Sequence, residues 1–324
     1  MIYDINNHAP LATSPLPLAN AALRQANEKT WSPVDVSDAA DVNDVLSMLQ
    51  VGEYSTSSLA HVCKGHKLIK DDKGEPLTIV SSTYDLLQPA EAFAFLDALQ
   101  VHLNFTYDKA GFLHQGRQLF ISGKMDMTIE VPAYGQRKVG DVLEVRVTAR
   151  TSFDGSLATI IQVEILRVWC SNQQASWVKG DRIAKVKHTK NQRVIMATAL
   201  QQATGVRQII QNLTCDVETL SAKDVTIDDF DRINALVFPI KNEDNSTRAK
   251  NIRDQVRAQF YNESMGTFGE SAWDVFNAFT AYHTHDRVSR ETAGTLREEN
   301  QFRAGSDPAF PRKVRSAINE VLAL

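Results

Sequence analysis

Between Gln118 and Val168 three strand-like segments are joined by short turn signals, an order that favours an antiparallel β-meander. Leu143, Val145 and Val147 alternate with Glu144, Arg146 and Thr148, the two-residue period of a strand with one buried and one wet face. Gln118 to Met125, Val142 to Thr151 and Ala158 to Val168 are the three strand segments. Phe153-Asp154-Gly155-Ser156 carries the Asp-Gly hairpin signal, and Tyr134-Gly135-Gln136-Arg137 supplies a second turn. Links this short pair neighbouring strands antiparallel.

Helical spacing surrounds the meander. Ser37 precedes Val42, Val45, Leu46 and Leu49 at the i, i+3, i+4, i+7 positions of an amphipathic helix. Lys64 to Pro76 reads as a polar loop turning at Lys70-Asp71-Asp72-Lys73-Gly74, and Leu77 to Tyr84 as a strand. Pro89 opens a helix carrying Phe93, Leu96 and Leu99. After Cys170-Ser171-Asn172 the pattern predicts a helix, a basic stretch, and a long helix from about Gln192 to Leu213. Beyond Asp216 every segment is helical. Thr226 precedes Ile227, Phe230, Ile233 and Leu236, with Pro239 as the stop. Thr247 precedes Ile252, Val256 and Phe260, and Ser271 precedes Trp273, Phe276 and Phe279. Val314, Ile318, Val321 and Leu322 mark the last helix. The expected fold is α+β, a β-β-β-α core with a mostly helical C-terminal part. Its divisions are an N-terminal arm and helix (1–50), an α+β core (51–215) and a helical region (216–324).

The chain has 324 residues, and no apolar run approaches the ~18 needed to span a bilayer. Met1 to Leu18 has neither the basic start nor the apolar run of a signal peptide, so the expectation is a cytoplasmic protein without membrane contact. Cys63, Cys170 and Cys215 are odd in number and lack CxxC spacing, which predicts reduced, mostly buried thiols. In His283-Thr284-His285-Asp286 the two histidines diverge if the segment is helical. His61, Cys63 and His66 read as a surface loop. No metal or cofactor is expected, and no nucleophile elbow, P-loop or dinucleotide fingerprint is present. The reading is therefore of a protein that is not an enzyme.

Net charge is −4, from 35 Lys+Arg against 39 Asp+Glu, so any polyanion site has to come from local segregation. The segment from Trp177 to Arg193 supplies it. Lys179, Arg182, Lys185, Lys187, Lys190 and Arg193 face only Asp181, and such a strip holds phosphates with release of counterions. Its bland alternative is a solvated face. Trp177, Trp169, Phe153 and Tyr134 are the aromatics from which a base-stacking platform would be drawn.

Four segments in order resemble a known family: Ile79 to Phe93, Ser152-Phe153-Asp154-Gly155-Ser156, Arg167-Val168-Trp169-Cys170-Ser171-Asn172, and Lys187-His188-Thr189. The chain resembles the phage/plasmid-like protein family, a domain of unknown function found in phages, prophages and plasmids, over roughly residues 55–285. Phe153 stands where that family has His, and Trp169 where it has Val. The strand–strand–strand–helix order also resembles single-strand annealing proteins, both the Redβ/RecT type and the eukaryotic Rad family numbered fifty-two. That likeness implies single-stranded DNA as partner, ring or filament self-association, and a role in recombination without sequence preference. The site it implies comprises Trp177, Lys179, Arg182, Lys185, Lys187, His188, Lys190 and Arg193, with Arg146, Arg150 and Arg167 lining the sheet. Two other readings are a protein that binds and inhibits a host protein through Asp228, Asp229, Asp231, Glu243 and Asp244, and a metal-dependent nuclease.

Overall fold

The meander forms, and it is longer than the three segments read from the sequence. In the computed structural model β5 (Phe105–Leu113), β6 (Gln118–Val131), β7 (Asp141–Ser152), β8 (Thr159–Arg167) and β9 (Trp177–Val186) follow one another, each antiparallel to the last. A two-residue β1 (Val34–Asp35) pairs with β5, so the sheet order is β1-β5-β6-β7-β8-β9. The structure describes residues 34–114, 116–133, 135, 140–167, 177–188, 205–240, 246–263, 266–287 and 309–324, with backbone alone at 177–184, 246 and 285. A second antiparallel sheet comprises β2 (Ser55–Ser58), β3 (His66–Lys70) and β4 (Pro76–Ser81). Short helices α1 (Val42–Met48), α2 (Pro89–Phe93) and α3 (Phe95–Leu103) flank it.

Each strand of the large sheet sends alternate side chains to one core. Leu143, Val145, Val147 and Ala149 of β7 and Ile161, Val163 and Ile165 of β8 are buried there. They join one apolar cluster with α4 (Val206–Ser221), α5 (Ile227–Val237), α6 (Ser246–Phe260), α7 (Ala272–Ala281) and α8 (Ala309–Leu322). Phe230 stacks on Phe260 at 4.4 Å, and Trp273 on Phe276 at 6.1 Å. Fully burying such a side chain contributes ~1.5–3 kcal/mol. The sheet and the C-terminal helices therefore share a core. Helix α4 runs across the division expected between residues 215 and 216.

Helix starts at Thr226, Ser271 and Pro89 follow the predicted chemistry, whereas Asp41 and not Ser37 caps α1, and Thr247 lies within α6. Thr226 and Asp229 make a reciprocal capping box at α5, and Ser271 and Asp274 another at α7, each cap contributing ~1 kcal/mol. Pro89 occupies the first turn of α2. Helix α7 continues into a π-helical turn, Tyr282–Asp286, where the Arg287 N–H donates to the Tyr282 carbonyl at 2.9 Å.

Several expectations need correction. Trp177–Val186 is a strand, where the sequence pattern suggested a helix and then a basic stretch of no stated conformation. Lys64 to Pro76 is not all loop, because His66–Lys70 pairs on both sides. The side of β7 expected to be wet is largely covered: Arg146, Thr148 and Arg150 are 7%, 0% and 8% exposed. Cys215 is exposed and Cys63 only half-buried, so these thiols are not core groups. Residues 192–204 of the expected long helix, Cys170, Trp169 and Tyr134 lie outside the described residues. Among the described residues no helix is long and apolar enough to cross a membrane.

Candidate nucleic-acid interface

Three arginines assigned to the sheet side of the site turn inward to carboxylates. Arg146 bonds Asp108 of β5 and, at 3.0 Å, Glu144, which also accepts from Lys124 at 2.7 Å. Burial pushes the Glu144 carboxyl up, but hydrogen bonds from Lys124 and Arg146 outweigh it and hold it below the usual glutamate range. Arg150 lies where its charge lowers the proton affinity of Glu164, a carboxylate bonded by Thr148 at 2.6 Å and by Gln162. Burial nonetheless keeps Glu164 above its ordinary range. Arg167 pairs with Asp141 and donates to the Gly266 carbonyl at 2.9 Å. Arg146 and Arg167 are thus matched by acids within the fold, and Arg150 sits beside one. None of the three adds to an outward positive field.

The basic segment maps onto the rim of the sheet. Lys179, Arg182 and Lys185 lie in β9 and Lys187 directly follows it, with Lys185 and Lys187 exposed and Val186 between them buried. By register Trp177, Arg182 and Lys185 stand opposite Leu166, Gln162 and Ile160 of β8. The side chains of Trp177, Lys179 and Arg182 are not among those described, and Lys190 and Arg193 lie beyond the described residues.

His188, at the end of the strip, has a different part from the lysines. Its ring stacks on Tyr84 with centroids 5.4 Å apart and planes at 22°. Burial holds the imidazole below the usual histidine range, against the pull of the Leu157 backbone and the carboxylates of Asp154 and Asp85. Neither ring nitrogen completes a well-formed hydrogen bond among the described residues. The partner of the ring in the structure is thus the Tyr84 face. Tyr84 is fixed in turn by donating its hydroxyl to the Ser152 carbonyl at 3.0 Å. Gly155 sits at φ +75°, a left-handed conformation that favours glycine, in the β7–β8 turn next to the tyrosine ring. Phe153 of the same turn is buried and stacks on Tyr54 at 4.3 Å, so it is a core residue.

Sequence reading missed Tyr84 as a partner of His188. The signal lay in the order of segments: residues of Ile79 to Phe93, Ser152 to Ser156 and Lys187 to Thr189 all meet at this point, while Arg167 anchors elsewhere. For the histidine and cysteine clusters, His283 is buried and stacks on Phe310 at 4.1 Å. Cys63 Sγ contacts His66 Nδ1 at 3.2 Å in an exposed turn. Among the described residues no group of three His, Cys, Asp or Glu side chains is arranged to hold a metal.

These features define an antiparallel α+β protein with an ion-paired sheet and a cationic strand at its rim. The model of the domain of unknown function DUF932 matches residues 76–305, and the chain belongs to that family. No curated protein and no solved structure matches it.

Proposed function

We propose that the protein binds single-stranded DNA along β9 and promotes strand annealing in a phage or other mobile element, in the host cytoplasm, with no cofactor. The observation that carries this reading is the pair of exposed lysines, Lys185 and Lys187, on a rim strand that ends at the Tyr84–His188 stack. Cations at alternate positions of an extended strand match an extended polyanion, and a neutral aromatic pair offers bases a face at ~1–3 kcal/mol per base. Annealing requires no bond to be made or broken, only lowered repulsion and bases left open to pair. Self-association into rings or filaments belongs to the same proposal.

The test is fluorescence anisotropy of a labelled oligothymidylate at several salt concentrations, followed by annealing of complementary strands without nucleotide or metal. K185E/K187E is expected to weaken binding and to flatten the salt dependence by about 0.7 per cation removed. Unchanged affinity and slope would remove β9 from the interface. Cleavage of the strand on adding magnesium would replace annealing by nuclease chemistry, and absence of any binding would favour a protein partner.

A further inference from the structure

The small sheet β2-β3-β4 is unusual in composition for a chain that carries net negative charge. Neither Tyr54 to Lys70 nor Pro76 to Tyr84 contains an acidic residue, yet together they hold Lys64, Lys67, Lys70, His61 and His66. Hydroxyls line it as well: Ser55, Thr56 and Ser58 of β2 and Ser81 of β4 are exposed. The carboxylates of this region gather at the β3–β4 turn. There Asp71 accepts from the Lys73 and Glu75 N–H groups, and Asp72 from that of Gly52 at 3.0 Å. The sheet is therefore polarised, with acids at the Lys70/Pro76 end and Lys64, His66 and Lys67 at the other.

The positive end faces the proposed interface. His66 pairs with Ser81, and the Ser82 N–H donates to the Gly65 carbonyl at 2.8 Å. From Ser81 only three residues lead to Tyr84, at most ~11 Å of chain, and Tyr84 carries the His188 ring beside Lys187. The sheet is held in this place by Gln88, whose side chain exchanges two 2.8 Å hydrogen bonds with the Tyr54 backbone, and by the Tyr54–Phe153 stack. Leu68 and Ile79 are register partners, and Ile79 is 58% exposed, which offers bases an apolar contact on that face of the sheet.

We infer that this sheet is the second half of the single-strand path: a strand leaving Lys187 crosses the Tyr84–His188 stack and runs onto Lys64 and Lys67. The inference rests on the β9 reading and extends it. Asp85 and Asp154 border the stack, so the sugar-phosphate backbone passes on the lysine side there and the bases face the rings. A phosphate chain fits better than an acidic protein, because the site combines lysines with exposed hydroxyls along extended strands.

Oligonucleotide length separates the two halves. The wild-type protein is expected to bind a ~30-mer more tightly than a ~8-mer, lengths that bracket common single-strand site sizes. K64E/K67E should erase most of that gain and lower the long-strand salt slope by about 1.4, while leaving the ~8-mer unchanged. K73E makes a charge reversal at the acidic end and should leave both lengths as they are. K64Q/K67Q, checked for an unaltered Tm, guards against loss through unfolding and should give a smaller change in the same direction. Wild-type behaviour of K64E/K67E on both lengths, or an equal loss in K73E, overturns the inference and leaves β9 standing. Loss in K64E/K67E with none in K185E/K187E keeps this sheet and overturns β9. No binding of either length by the wild type overturns both.

Discussion

Arg167 at the end of β8 and Asp141 at the start of β7 form an ion pair whose side chains are only 4% and 1% exposed. The pair reaches beyond the sheet, since Asp141 also accepts from Trp273 Nε1 at 3.3 Å and Arg167 holds the Gly266 carbonyl. It therefore ties strands to the loop and helix that close the core.

Removing one partner of this pair leaves a charge stranded away from water. R167M and D141N are each expected to lose ~3–5 kcal/mol of stability, and the double replacement less than the sum. Urea unfolding followed by tryptophan fluorescence measures this. Additive losses would show that the two residues act independently.

His188 makes stability depend on pH in a defined sense. Its folded-state proton affinity is lowered, so the native state binds fewer protons than the unfolded chain. Its contribution is complete above the ordinary value of 6.5 and is lost as pH falls through and below it. Tm should drop more steeply between neutral pH and pH ~5.5 in wild type than in H188Q. Parallel profiles would mean that the ring is solvated.

Glu164 acts in the opposite direction. A carboxyl raised by burial holds its proton longer in the native state, so stability falls as pH rises from its ordinary value of 4.5 toward the folded one. E164Q should remove that decline while keeping a polar partner for Thr148 and Gln162. The readout is urea unfolding across that range, and an unchanged slope in E164Q would assign the titration to another group.

Gly123 of β6 sits under the Phe105 ring, where an added Cβ would fall 2.2 Å from the ring carbon Cδ2. G123A is expected to cost ~1–3 kcal/mol through overpacking, and F105L should recover part of it. A neutral G123A would show that the β5–β6 pair yields easily.

The legible parts of this fold were those with local causes. Capping at Thr226 and Ser271 and the Pro89 start depend on neighbouring residues, and β7 shows a two-residue period from Leu143 to Thr148. β5 escaped because the bulge between Tyr107 and Lys109 breaks its alternation. β9 escaped because its partner strand, and not its own composition, makes it extended. The basic strip was visible as charge, but the fate of Arg146, Arg150 and Arg167 was not. Alternation tells which residues share a face, whereas Asp108, Asp141 and Glu164 become their neighbours only through pairing across strands. The meeting of Tyr84 and His188 is likewise a product of tertiary contact.

The wide turn after α7 has a consequence of its own. It accommodates one residue more than an ordinary helix would, and each residue in a helix is worth about 100° of rotation. Shortening Tyr282–Asp286 by a single position would leave composition and hydrophobicity almost untouched, yet would swing the downstream chain around the helix axis and pull His283 out of line with Phe310. The seam with the C-terminal helix is thus specified by counting, and a one-residue deletion there should do more harm than most substitutions.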